Sequence, residues 1–197
     1  MKDLPYVFVF PMVFLWILPF SVVTYIEKRS FASMGFRFDK ERIPSYLYYT
    51  ALGFLILTTL LGLEQAIRLY TLESYIDEVF TQETNILLQL LIQLGGIGLP
   101  EEIFFRGYLS QRFGDWLGQT RGLILSSLFF GTGHFISRVL DPGEVTLAIA
   151  TLIGLQTFIS GIVLGYLLIK TKTISVPATS HILLNVFGVM TIKHIMS

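Results

Sequence analysis

The chain has no cysteine. Disulfides, a thiolate nucleophile and cysteine-ligated metals are thereby excluded. Charge is also scarce: Asp, Glu, Lys and Arg together make up 14% of the residues, and the formal net charge is +0. Nothing in that balance provides the basic surface a nucleic-acid partner needs. Histidine occurs three times, which limits any metal chemistry to a small site. No internal repeat, low-complexity tract or soluble domain is legible. What the chain has in quantity is apolar residues, 53% of the total, well above a typical soluble domain.

These residues lie in long runs. About 20 mostly apolar residues are needed to cross the hydrocarbon core as a helix. Six stretches approach that: Pro5–Ile26, Tyr46–Leu63, Ile86–Leu109, Leu123–Leu140, Val145–Ile169 and Ile174–Ile195. The first could pass for an uncleaved signal sequence, but Lys2 stands beside Asp3 and no small-residue cleavage site follows, so it reads as a retained helix. Runs of this length do not alternate as barrel strands do, and lipid then leaves only helices. The expected fold is all-α, a polytopic transmembrane bundle of about six spans. Residues 1–85 read as a two-span region with surface loops, and 86–197 as a catalytic helical core. Basic residues collect in alternate connections: Lys28, Arg29, Arg37, Lys40 and Arg42; then Arg112 and Arg121; then Lys170 and Lys172. The positive-inside rule places these three connections in the cytoplasm and both termini outside. Gly161 and Gly165, with Gly154 before them, form a small-residue stripe suited to close helix packing.

Against this background several ionisable residues stand where a bilayer disfavours them, at a cost on the order of 2.5–3.5 kcal/mol each on insertion scales. Glu101, Glu102 and Arg106 form an EExxxR cluster. Phe130 and His134 are one helical turn apart, as are His181 and Asn185. Glu102 and Arg106 share a helix face, which suits a structural ion pair. Glu101 points about 100° away and is left to face a water as a general base. Gly131 and Gly133 are expected to keep the surface near His134 open. An imidazole and an amide spaced like His181 and Asn185 could both donate to an oxyanion. At about 1.5 Å per residue the three clusters reach similar depths in the cytoplasmic half of the bilayer. The stretch Gly95-Gly96-Ile97-Gly98-Leu99-Pro100 reads as a weak point that lets water and substrate approach. Blander readings apply to Gln89 and Gln93 (interhelical hydrogen bonds), to Glu64 with Arg68 (an interfacial pair), and to His194 (an exposed interfacial residue). A lone membrane histidine is as well explained by packing as by catalysis, but three polar clusters on three helices are not.

The ordered set EExxxR, FxxxH and HxxxN, read here as Glu101–Arg106, Phe130–His134 and His181–Asn185, resembles the CPBP family of intramembrane proteases. That family includes the type II CAAX prenyl endopeptidases and bacteriocin-processing, Abi-like proteins. The resemblance covers roughly Ile86 to the C-terminus and implies peptide-bond hydrolysis inside a helical bundle. On that carry-over Glu101 and His134 activate the water, His181 and Asn185 bind the oxyanion, and Glu102, Arg106 and Phe130 support them. A metal-free, glutamate-dependent mechanism is preferred. Zinc held by Glu101, His134 and His181 is the alternative. The implied partners are membrane lipid and a membrane-anchored or hydrophobic peptide substrate, with no nucleic acid. The implied setting is the plasma membrane of a prokaryote. A non-proteolytic membrane scaffold, or a small proton-relay transporter, would be the competing class of function.

Overall fold

The computed structural model describes residues 14–71, 86–140 and 145–188. Pro5 to Val13 of the first expected span, the acidic residues Glu73, Asp77, Glu78 and Glu83, the end of the last span, and His194 lie outside the described residues. Within them every regular element is helical. Helix α1 covers Phe14–Ile26, and its last turn, Val22–Ile26, has π geometry. Helix α2 is Ile43–Tyr70, with Pro44 in its first turn, where a missing N–H costs no intrahelical bond. Helix α3 is Ile86–Gly95. Helix α4 runs over 98–117: it starts as Gly98–Glu102, widens to a π-helix at Ile103–Leu109 and resumes as an α-helix at Ser110–Leu117. Helix α5 is Gln119–Val139, and α6 is Leu147–Thr171, capped by the Thr146 hydroxyl accepting from Ile149 N–H at 3.3 Å. Helix α7 is Ser175–Leu183 and continues as a π-helix over Leu184–Gly188.

Among the described residues three stretches are long and apolar enough to cross a bilayer: Lys40–Tyr70, Ile86–Leu117 and Leu147–Thr171. Leu47, Leu55 and Leu63 on α2, Leu87 and Leu91 on α3, and Leu147 and Leu155 on α6 all point outward. In lipid that outward apolar face is the solvated one, and the architecture is a helical membrane bundle.

The core lies between α2, α6 and α7, where Tyr46, Leu57, Leu164, Leu167, Val176 and Leu184 pack together. The three basic connections meet at one end, as an antiparallel bundle requires. Arg42 donates to the carbonyls of Lys170 and Thr171 at 3.2 Å each, satisfying the open end of α6. Ile174 N–H donates to Gly35 O at 2.8 Å. Arg112 pairs with Glu27 at 2.6 Å, and Arg29 pairs with Asp115. A single residue, Gly118, joins α4 to α5 at φ +89°, a conformation side chains rarely adopt.

The small-residue stripe is the seam between α5 and α6. A Cβ at Gly154 would lie 2.8 Å from Phe135 Cβ, and one at Gly161 would lie 3.0 Å from Ser127 Cβ. Gly131 belongs to the same seam and not to an open surface, which corrects the expectation above: a Cβ there would meet Gly154 O at 2.6 Å and Phe158 Cβ at 2.7 Å. Gly133 has nothing within 4 Å. Gly131→Ala should therefore destabilise the bundle by about 1–3 kcal/mol through overpacking, while Gly133→Ala stays within about 0.5 kcal/mol of wild type. Unfolding of both variants in detergent checks the contrast.

Glu64 and Arg68 near the end of α2 form an ion pair, as expected, and the bundle encloses it, each residue being about 4% exposed.

Candidate active site

The third expected span is broken where glycine permits. Helix α3 ends at Gly95, and both Gly96 N–H and Ile97 N–H return to Ile92 O, at 2.7 and 3.2 Å. The Trp16 indole N–H on α1 donates to the freed Gly95 carbonyl at 2.9 Å. The chain restarts at Gly98, so Glu101 and Glu102 fall in the first turns of α4, where acids are favoured. Pro100 fits there because early helical N–H groups have no intrahelical acceptor.

Glu102 and Glu101 then diverge as helical geometry demands. Glu102 is fully buried, and its Oε1 lies 2.9 Å from Arg106 Nη1. The same oxygen accepts from His181 Nδ1 at 2.9 Å. Glu101 is partly exposed, its side chain 18% accessible, and its Oε2 lies 3.9 Å from His181 Nε2. That gap is too long for a direct hydrogen bond and suits a shared water.

The hub of the cluster is the buried ring of Phe130 on α5. The Arg106 guanidinium lies 4.1 Å from its centroid, a cation–π contact that offsets part of the cost of burying the charge. His134 stacks edge-on at 4.5 Å and His181 at 6.2 Å. Phe105 closes the other side at 4.9 Å. His134 Nδ1 is 3.0 Å from the Phe130 carbonyl. A carbonyl only accepts, so Nδ1 carries the hydrogen, and in the neutral form of the ring Nε2 is the acceptor.

Arg106, His134 and His181, from three helices, thus gather around one ring, with Glu101 beside His181. Asn185 lies on the π-turn that extends α7. Its Nδ2 donates to Oε1 of Gln93 on α3 at 2.8 Å, the interhelical bond expected for Gln93. The role of Glu102 toward His181 was not legible: spacing in the sequence pairs Glu102 with Arg106 and carries no information about a residue on α7.

A catalytic zinc would need three protein ligands at about 2.0–2.2 Å from one point. Among the described residues no group of three His, Cys, Asp or Glu side chains is placed to hold a metal ion. Both Nδ1 atoms are committed, to Glu102 and to the Phe130 carbonyl, which leaves the two Nε2 atoms as the ring nitrogens open to a ligand.

The family described as Type II CAAX prenyl endopeptidase Rce1-like matches residues 83–187, more than half of the chain and all of the cluster above. The chain belongs to this family and is, in general class, a CAAX-type intramembrane protease. No curated protein and no solved structure matches it significantly.

Proposed function

We propose that the chain is an endopeptidase that cleaves membrane-associated peptides or proteins with a water held by Glu101 and His134. What supports this is that Glu101 Oε2 stands 3.9 Å from His181 Nε2, with His181 held from behind by Glu102 and sharing the Phe130 ring with His134. Glu101 takes a proton as the water oxygen attacks the scissile carbonyl carbon. His134 Nε2, left as an acceptor by the Nδ1 bond to Phe130, orients the water. His181 and Asn185 donate to the oxyanion. For His181 this requires hydrogens on both ring nitrogens, since Nδ1–H is committed to Glu102. Collapse of the tetrahedral intermediate breaks the C–N bond, and the proton on Glu101 passes to the leaving amine. A new carboxylate and a new amine result.

The substrate class follows from the family: a lipid-anchored chain, a prenylated CAAX peptide being the first to try. The site is proposed to face the cytoplasmic half of a prokaryotic plasma membrane, supported by the clustering of basic connections at one end of the bundle. The test uses purified protein in liposomes and a farnesylated CAAX peptide with fluorophore and quencher flanking the cysteine. Peptidomics of membranes from wild-type and Glu101→Ala cells would reveal natural substrates. Full complementation of a deletion by Glu101→Ala would instead make the chain a scaffold. The mechanism is proposed to be metal-free. Elemental analysis of active protein should find zinc well below one equivalent, with activity kept in chelator. Stoichiometric zinc with loss of activity on chelation would overturn that choice.

A further inference from the structure

Gln93 is the one buried residue of α3 among those described. The rest of that helix is largely turned to lipid. Gln93 itself is only 1% exposed and sits in the last turn before the Gly95–Ile97 break. The break folds Gly98 back over it: a Cβ at Gly98 would come within 3.0 Å of both Gln93 Oε1 and Ile182 Cγ1. Only the hydrogen of glycine leaves the amide room between α3, α4 and α7. From there its oxygen receives Asn185 Nδ2–H at 2.8 Å.

We propose that Gln93 is a positioning residue for cleavage, acting through Asn185. This inference rests on the oxyanion role given to Asn185 above. A primary amide can turn its oxygen or its nitrogen toward a pocket, and only its partners decide which. An acceptor at position 93 selects the nitrogen. One N–H of Asn185 is then tied to α3, and the other is presented in a fixed direction. Without the acceptor the amide can flip, and its oxygen would repel a developing oxyanion. In a low-dielectric setting such a bond is stronger than in water.

The variants are Gln93→Met, similar in shape but with no acceptor, and Gln93→Glu, similar in shape and acceptor-only when ionised. Both are assayed on the farnesylated quenched peptide in liposomes, alone and combined with Asn185→Ala. For Gln93→Met, kcat should fall about tenfold, the worth of one hydrogen bond, with KM little changed. Gln93→Glu should keep more of kcat than Gln93→Met. A purely structural role predicts the reverse order, because a buried carboxylate destabilises the bundle more than a thioether does. In the Asn185→Ala background Gln93→Met should cost nothing further. If Asn185→Ala itself leaves kcat unchanged, the oxyanion reading fails. If Asn185→Ala slows cleavage but Gln93→Met does not, or if Met outperforms Glu, this inference alone fails.

Discussion

Glu101→Ala should abolish cleavage, with a loss of about 10³-fold or more in kcat, while stability stays within about 0.5 kcal/mol of wild type. The separation follows from where the carboxylate sits. Its neighbour Glu102 is sealed into the bundle, but the Glu101 side chain is 18% accessible and stands 3.9 Å from His181 Nε2, beyond hydrogen-bonding distance. Removing it opens no core cavity and breaks no direct bond to His181. Glu101→Gln tests the chemistry more narrowly: it keeps shape and polarity but has no oxygen basic enough to take the proton. It should be as inactive as Glu101→Ala. Steady-state cleavage in liposomes, with unfolding curves on the same preparations, decides the matter. Normal cleavage by either variant would remove Glu101 from the mechanism.

The second large effect falls on stability. Glu102 and Arg106 are 0% and 2% exposed, and Glu102 Oε1 serves both Arg106 and His181. Arg106→Met leaves a carboxylate in the core without its guanidinium and should cost about 3–5 kcal/mol. Glu102→Leu in the same chain removes the stranded charge, so the double variant should recover much of that loss. Activity should not recover with it. His181 Nδ1 then has no acceptor, and loss of an orienting carboxylate behind a catalytic imidazole lowers kcat by about 10⁴-fold in the serine-protease case. A double variant that is folded yet at least about 10²-fold slow is expected here, since His181 is one of two proposed oxyanion donors. Unfolding in detergent and kcat on matched samples separate the two effects. Recovery of both together would mean that Glu102 does no more than balance Arg106.

Much of this was legible in the residues themselves. Apolar run length reports directly on membrane helices: α2 and α6 contain or closely follow expected spans, while α5 forms where a helix was expected but is not among the stretches long and apolar enough to cross. The EExxxR spacing placed Glu102 against Arg106 and turned Glu101 away, because the helical repeat sets both angles. The glycine cluster before Pro100 marked the break between α3 and α4. Other features depend on tertiary contact. Nothing local says that Gly131 faces α6 while Gly133 faces open space, since that depends on how α5 is rotated in the bundle. Glu64 and Arg68 read as an interfacial pair from their place near the end of an apolar run; that the bundle also encloses them depends on its packing. The π-turns at Ile103–Leu109 and Leu184–Gly188 shift the register of the residues they carry. Neither the Glu102–His181 bond nor the Gln93–Asn185 bond could be assigned before α3, α4 and α7 were placed together.

The absence of cysteine makes the most direct test a clean one. Thiols introduced by Glu101→Cys with His181→Cys should be joined by a short bifunctional thiol reagent in the intact membrane protein. Gln93→Cys with Asn185→Cys serves as the positive control, and peptide mass spectrometry reads the product. Convergence of α4 and α7 on one hydrated site predicts efficient bridging of both pairs. Efficient bridging of the control with none between 101 and 181 would contradict a shared site and, with it, the proposed hydrolysis.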